Sequence, residues 1–137
     1  MAAVTGVLET CLYLEDLDRA SRFYEGLFGW KRMDGDARFR AYGIAPGSVL
    51  LLFKRGGTVQ AAATGGGVIP GHDGTSGGHL AFSVPAAEWE KWLRRLEEHG
   101  VAIEQVVQWP RGGRSLYFRD PERNLIELAT PGLWAVY

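Results

Sequence analysis

The amino-acid sequence predicts an α+β protein in which two βαβββ repeats form a cupped, eight-stranded mixed sheet with the helices outside. The chain reads as one strand, one helix and three strands, and then the same order again. Nineteen glycines among 137 residues favour many tight turns, which suit short strands better than long helices. The two halves can also be aligned on each other, as shown below.

The first predicted repeat covers residues 7–56. Residues 7–14 are rich in β-forming side chains and predict a strand. Asp16 then offers an N-cap for a helix, which Gly29 ends. The remaining strands of this repeat are predicted over residues 30–34, 37–44 and 48–54.

The second predicted repeat covers residues 79–132. A strand over 79–84 precedes a helix over 86–99, which Gly100 ends. The segment from Asp120 to Asn124 predicts a hairpin turn. The strands of this half are predicted over residues 101–109, 114–119 and 124–129.

Between the repeats lies a glycine-rich segment, residues 57–78, with no periodic apolar pattern. It predicts either a plain linker or a loop that covers a site. We expect residues 65–78 to form a flexible gate whose order depends on a bound ligand, because glycine raises the entropic cost of ordering. His72 of this segment is a candidate acid or base.

The alignment of the two halves places ionisable side chains at related positions. At an offset of 70 residues Glu9 corresponds to His79, and at an offset of 76 Leu51 corresponds to Glu127. Strand alternation puts Glu9, His79 and Glu127 on the less apolar faces of three strands. The opposite faces carry the apolar sets Leu8, Leu12 and Leu14, then Leu80, Phe82 and Val84, and Ile126 with Leu128.

Three ligands of this kind would leave coordination positions open for substrate, as catalytic metal sites require. Taken singly, a glutamate at a strand start is more often a solvated rim residue. A single histidine on a strand is more often a hydrogen-bonded structural residue. The related placement of Glu9 and His79 favours the metal interpretation.

Composition limits the classes of partner. The net charge is −1 and the isoelectric point is near 6.3. This balance argues against nucleic acid and anionic membranes as main partners, because both require a basic surplus. One cysteine, Cys11, allows no disulfide within the chain, and no signal peptide is visible. A cytoplasmic, reduced, single-domain protein is therefore expected.

Three segments resemble motifs of the vicinal oxygen chelate superfamily, in the same order along the chain. The first is LEDLDRASRFY with LFG at residues 27–29, the second is HLAFSV at 79–84, and the third joins YFRDP at 117–121 to NLIEL at 124–128. The superfamily includes glyoxalase I, extradiol dioxygenases, fosfomycin-resistance thiol transferases and bleomycin-binding proteins. The resemblance covers essentially the whole chain and implies the fold predicted above. It also implies a positive φ at Arg123, which stands in the turn 120–124 where the superfamily commonly has glycine.

The resemblance also implies a metal site formed by Glu9, His79 and Glu127. The first of these positions is commonly histidine in the superfamily, and the fourth ligand of glyoxalase I corresponds here to Leu51, which cannot coordinate. Two carboxylates and a neutral imidazole cancel the charge of a divalent ion and favour harder metals. We expect one divalent ion, with manganese, iron, magnesium, nickel and zinc left open.

The predicted function is a divalent-metal-dependent enzyme that coordinates a small oxygenated substrate through two oxygens. Lyase or isomerase chemistry, thiol transfer and oxygenation remain open. The alternative is a metal-free protein that binds or sequesters a small molecule, as the bleomycin-binding proteins do. Glu127, Tyr117 and His72 are the candidate catalytic residues. The candidate substrate-binding residues are Tyr13, Phe53, Trp109, Arg114 and Ser115.

A homodimer is expected, because open sheets expose strand edges that the superfamily commonly pairs. The apolar tail, residues 133–137, is a candidate for part of that interface.

Overall fold

The structure is a computed structural model that describes residues 2–137 and divides into two compact units. The N-terminal unit ends at Ser76, inside the predicted linker 57–78, and the C-terminal unit covers Gly77–Tyr137. Each unit contains one βαβββ repeat, which confirms the predicted fold class. Neither described α-helix has the length and apolar character needed to cross a membrane.

The N-terminal unit is built on a four-stranded mixed sheet in the order β1-β4-β3-β2. Strand β1 pairs with β4 in parallel, and the other pairs are antiparallel. Because β1 and β4 are parallel, the connection between them must cross over, and the helix α1 lies in that connection. The elements are β1 (Glu9–Leu14), α1 (Leu17–Phe28), β2 (Arg32–Gly35), β3 (Phe39–Ala45) and β4 (Ser48–Lys54).

Helix α1 begins and ends where the sequence predicts. The Asp16 side chain accepts a hydrogen bond from the Arg19 amide at 3.0 Å, and Gly29 ends the helix with φ of 71°. The buried face of the helix includes Leu17, Ala20, Tyr24 and Leu27.

One predicted core residue of the N-terminal unit is not in the core. Leu12 and Leu14 are buried as expected, whereas Leu8 is 60% exposed. Strand β1 begins one residue later, at Glu9. Leu8 pairs through its backbone carbonyl with Val49 but lies before the part of the strand whose apolar face is covered.

The C-terminal unit repeats this topology with the sheet order β7-β10-β9-β8. Strand β7 pairs with β10 in parallel, and a single turn of 3₁₀-helix over Ala86–Glu88 leads into α2. Phe82, Leu116, Phe118, Ile126 and Leu128 fill the core of this unit. The elements are β7 (His79–Ser83), α2 (Trp89–Glu98), β8 (Gln105–Gln108), β9 (Arg114–Arg119) and β10 (Leu125–Ala129).

The two sheets have matching strand register. Glu9 lies opposite Val49, as His79 lies opposite Leu125, and Cys11 lies opposite Leu51, as Ala81 lies opposite Glu127. These pairs have the offsets of 70 and 76 residues derived from the sequence. Within its own unit, Glu9 therefore holds the same position as His79, and Leu51 holds the same position as Glu127.

The glycine-rich segment contains more regular structure than predicted. Residues 62–69 form a short hairpin of β5 (Ala62–Thr64) and β6 (Gly67–Ile69). Thr58 and His72 exchange two hydrogen bonds at the base of the hairpin, of 2.7 and 2.8 Å. The strands are three residues long and almost fully exposed, so they carry no apolar alternation that a sequence could show. We call residues 56–74 the strap.

Candidate metal centre

His79 is the first residue of β7, and the turn that precedes the neighbouring strand β10 fixes where β7 begins. The amide of Gly78 donates to the Asn124 side chain at 2.9 Å. The Asp120 carboxylate in turn accepts from the Asn124 amide and side chain, each at 2.9 Å. Arg123 completes this turn with φ of 71°, as predicted. The buried turn thus aligns the start of β7 with the start of β10, the strand that carries Glu127.

Within the C-terminal unit, His79 and Glu127 come together. Nε2 of His79 lies 3.2 Å from Oε1 of Glu127. About half of the imidazole surface is exposed, whereas the carboxylate is buried with 7% of its side chain exposed. A buried carboxylate is costly unless its oxygens have partners, so both oxygens of Glu127 require compensation.

The second oxygen of Glu127 is held by a short chain of side chains. Ser115 donates to Oε2 of Glu127 at 2.5 Å, and Nε1 of Trp109 donates to the Ser115 hydroxyl at 2.8 Å. Ser115 is completely buried. These bonds fix the carboxylate plane and direct Oε1 toward His79.

These residues fit a metal ion. Nδ1 of His79 lies 2.9 Å from the Leu125 carbonyl, which can only accept a hydrogen bond, so the proton is on Nδ1. In the neutral imidazole, Nε2 then carries a lone pair, which faces the lone pairs of Oε1 of Glu127. Two acceptors this close require a proton or a cation beside them. The Nδ1 bond and the Ser115 bond are the kind of outer contact that orients metal ligands.

Tyr117 stands beside this pair. Its ring centroid is 6.2 Å from that of His79, and it lies opposite Glu127 across β9 and β10. Burial, followed by the negative charge of Glu127, raises the pKa of Tyr117. The phenol therefore stays protonated at neutral pH and can donate a hydrogen bond.

A cavity of about 410 Å³ in the C-terminal unit opens over His79 and Glu127. Its walls are mainly apolar and include the aromatic residues Trp109 and Tyr117, two of the predicted binding residues. Three residues of the apolar tail also line it: Leu133, Trp134 and Tyr137. The sequence suggested the tail only as an interface and gave no signal of this contact.

Two predicted substrate-binding residues have other contacts in the structure. Ser115 is buried behind Glu127 and holds that carboxylate, as described above. The Arg114 guanidinium lies 4.4 Å from the centroid of the Trp89 ring, so it ties β9 to α2. Neither is among the described residues that line the cavity.

The other predicted site residues belong to the N-terminal unit. Glu9 is exposed and lines a separate cavity of about 280 Å³, together with Phe53 and His72. Nδ1 of His72 lies 2.5 Å from the Tyr13 hydroxyl, and the Tyr13 and Phe53 rings stack at 5.6 Å. Burial, followed by the nearby Cys11, raises the pKa of Tyr13, so the phenol is the donor in this bond.

Within neither unit do three described His, Cys, Asp or Glu side chains come together as a metal site. The structure pairs two of the three predicted ligands, His79 and Glu127, and places Glu9 at the related position of the other unit.

The family model of the Glyoxalase/Bleomycin resistance protein/Dioxygenase superfamily matches residues 6–128. The chain therefore belongs to this superfamily, as the sequence motifs suggested.

Among its relatives, a lactoylglutathione lyase from Agrobacterium tumefaciens has a crystal structure that matches with a TM-score of 0.87 and 31% identity. That match covers 98% of this chain and 99% of that one. Metallothiol transferase FosB of Shouchella clausii is 27% identical over 129 residues, which are 93% of this chain and 81% of the relative. The fosfomycin resistance protein FosX from Mesorhizobium loti is similar in fold, with a TM-score of 0.63 at 23% identity over 93% of each chain.

Proposed function

We propose that this protein is a divalent-metal-dependent enzyme of the glyoxalase type and that Glu9, His79 and Glu127 hold the metal. The observation that carries the proposal is the pair of lone-pair donors, Nε2 of His79 and Oε1 of Glu127, 3.2 Å apart with their outer atoms already bonded. The likeness to a lactoylglutathione lyase over nearly the whole of both chains supports an enzyme and favours lyase chemistry.

The residues of the chain have distinct roles in this proposal. His79 and Glu127 bind the ion, and Glu127 is also the candidate base for a substrate proton. The protonated Tyr117 donates a hydrogen bond to a substrate oxygen, and His72 is the candidate acid or base from the strap. A bound divalent ion would supply Lewis-acid polarisation of the substrate. We also expect a homodimer and a cytoplasmic location.

The metal content of two histidine variants tests the assignment. We expect His79→Ala to abolish stoichiometric metal while the fold is retained, because it removes a ligand from the exposed rim of the sheet. His99→Ala is the matched control: His99 lies just past the end of α2, where its Nδ1 bonds to the Arg95 carbonyl at 2.8 Å. Full metal content in His79→Ala would overturn the assignment.

A second candidate function is metal-free binding of an aromatic molecule. The stacked Tyr13 and Phe53 rings and the aromatic walls of the larger cavity favour it. Metal analysis of the purified protein, before and after treatment with a chelator, separates the two functions. A metal-reconstituted activity screen on methylglyoxal–thiol adducts, catechols and epoxides then identifies the reaction.

A further inference from the structure

The cavity of the C-terminal unit combines aromatic walls with the two proposed metal ligands His79 and Glu127. Four aromatic side chains line it: Trp109, Tyr117, Trp134 and Tyr137. Two of them are fixed in place, because Trp109 donates to Ser115 and the Tyr137 hydroxyl donates to the Ala129 carbonyl, both at 2.8 Å. Fixed aromatic walls bind flat apolar groups at low entropic cost.

The charge of this cavity disfavours an anion. None of the described residues that line it is a lysine or an arginine. Arg114, which follows the nearby loop, stacks on Trp89 instead. A phosphonate or carboxylate group is usually bound by arginine or lysine, and here it would meet Glu127. A divalent ion with Glu9 and Glu127 is neutral overall, so it adds no net attraction.

A cation is disfavoured for a different reason. Aromatic walls beside a carboxylate would ordinarily attract a cation. In the proposed enzyme the positive charge of the metal ion balances the negative charge of Glu127. Because the metal-loaded site is neutral overall, a positively charged group would lose its hydration in this cavity without an opposite charge to compensate.

We propose that the substrate of this enzyme carries an uncharged aromatic ring, which occupies the cavity of about 410 Å³ in the C-terminal unit. This inference rests on the proposed metal-dependent function, since the metal decides between neutral and cationic ligands. The volume agrees with a ligand of this size, because pockets for small molecules commonly measure about 300–1,000 Å³. A substrate with only a methyl group beside its oxygens would leave most of the cavity to water.

Four synthetic vicinal diols test the proposal. They are propane-1,2-diol, 1-phenyl-1,2-ethanediol, and the phenyl diol with a para-carboxylate or a para-aminomethyl group. All present the same two oxygens and differ only in the ring and its charge. Dissociation constants are measured calorimetrically on the Mn²⁺-loaded protein and again in EDTA.

With Mn²⁺ we expect the phenyl diol to bind about 10-fold or more tightly than propane-1,2-diol, the effect of burying one ring. We expect it also to bind at least about 10-fold more tightly than either charged diol, because an uncompensated charge is costly to remove from water. Equal binding of the phenyl and propane diols, or tightest binding of a charged diol, would overturn the proposal.

Variants locate the ring in this cavity. Trp134→Ala should weaken the preference for the phenyl diol, although Trp134 is 71% exposed, whereas Val136→Ala, a residue of the same tail outside the cavity lining, should keep it. Ser83→Arg adds a cation to the lining and should shift the preference toward the para-carboxylate. An unchanged preference in both Trp134→Ala and Ser83→Arg would place the ring elsewhere and overturn the inference.

The two proposals fail in different ways. If the protein binds no metal, the function proposed above fails, yet the preference for the ring is still measurable in EDTA. If the protein binds Mn²⁺ but shows no preference for the neutral ring, only the substrate inference fails.

Discussion

At the scale of single residues, the buried carboxylate of Glu127 is the feature that most needs an explanation. Removing a charged group from water is unfavourable unless hydrogen bonds and opposite charge compensate. Ser115 compensates one oxygen and His79 faces the other, at 2.5 and 3.2 Å. The N-terminal unit has Leu51 at the same register position, so an apolar residue is compatible with this fold. The carboxylate is therefore better explained by function than by stability.

Ser115→Ala tests this explanation. We expect a loss of about 1–3 kcal/mol in the free energy of unfolding, because both Glu127 and Trp109 lose a buried partner. We also expect about 10- to 100-fold weaker metal binding, the usual cost of losing an outer contact of a ligand. Urea unfolding and a metal titration measure the two effects, with the exposed Ser76→Ala as control. Wild-type metal affinity in Ser115→Ala would show that the serine is not needed to orient Glu127.

The sequence could identify the paired residues but not their support. His79 and Glu127 were found because alternation and the internal repeat place them on matching faces. Ser115 was predicted as a substrate-binding residue because the sequence does not show which side of Glu127 it occupies. In the sheet, Ser115 lies opposite Ala129, which is the next residue after Glu127 on the same face of β10. Ser115 and Glu127 are therefore diagonal neighbours, and their side chains come into contact.

At the scale of elements, the strap overlaps the segment 65–78 that we expect to act as a flexible gate, and it has more contacts than its composition indicates. Its C-terminal end is closely packed: a Cβ on Gly74 would lie 2.3 Å from the Tyr13 ring. Asp73 accepts a hydrogen bond from the Gly56 amide at 3.1 Å, and His72 bonds to Tyr13. The hairpin between these contacts is exposed. A glycine-rich composition therefore reflects close packing at one end of the strap as well as freedom of the backbone, and composition alone cannot separate the two. Dependence of its order on a ligand stays a prediction.

Two glycine substitutions separate packing from flexibility. Gly74→Ala should lower the free energy of unfolding by about 1–3 kcal/mol, because the new methyl group overlaps the Tyr13 ring. Gly65→Ala, in the hairpin turn with no atom within 4 Å of its added Cβ, should not destabilise the protein. Chemical denaturation measures both changes. If both variants were equally stable, the end of the strap would not be packed against Tyr13 in solution.

Helix α1 can be predicted from the sequence, whereas the short hairpin of β5 and β6 cannot. Helix α1 was predicted with its N-cap Asp16 and its terminal Gly29, because both signals are local. The positive φ of Arg123 follows instead from the resemblance, because the superfamily commonly has glycine at that position. The hairpin of β5 and β6 could not be predicted, since its stability comes from contacts of the strap rather than from its own apolar pattern.

At the scale of the whole molecule, the two units have the same topology and register but different side chains at the related positions. The C-terminal unit has His79 and Glu127, whereas the N-terminal unit has Glu9 and Leu51. The proposed metal site takes His79 and Glu127 from the C-terminal unit and Glu9 from the N-terminal unit. Loss of the N-terminal ligand should then weaken binding although His79 and Glu127 are unchanged.

Glu9→Gln tests whether the N-terminal unit contributes. At a Mn²⁺ concentration 100 times the dissociation constant, we expect metal to raise the free energy of unfolding of the wild type by about 2.7 kcal/mol. A 10-fold loss of affinity in Glu9→Gln would reduce this gain to about 1.4 kcal/mol at the same concentration. Glu90→Gln, an exposed carboxylate of α2, should keep the full gain. Denaturation with and without Mn²⁺ gives both values. A full gain in Glu9→Gln would assign the metal to the C-terminal unit alone, because the amide is a much poorer ligand than the carboxylate it replaces.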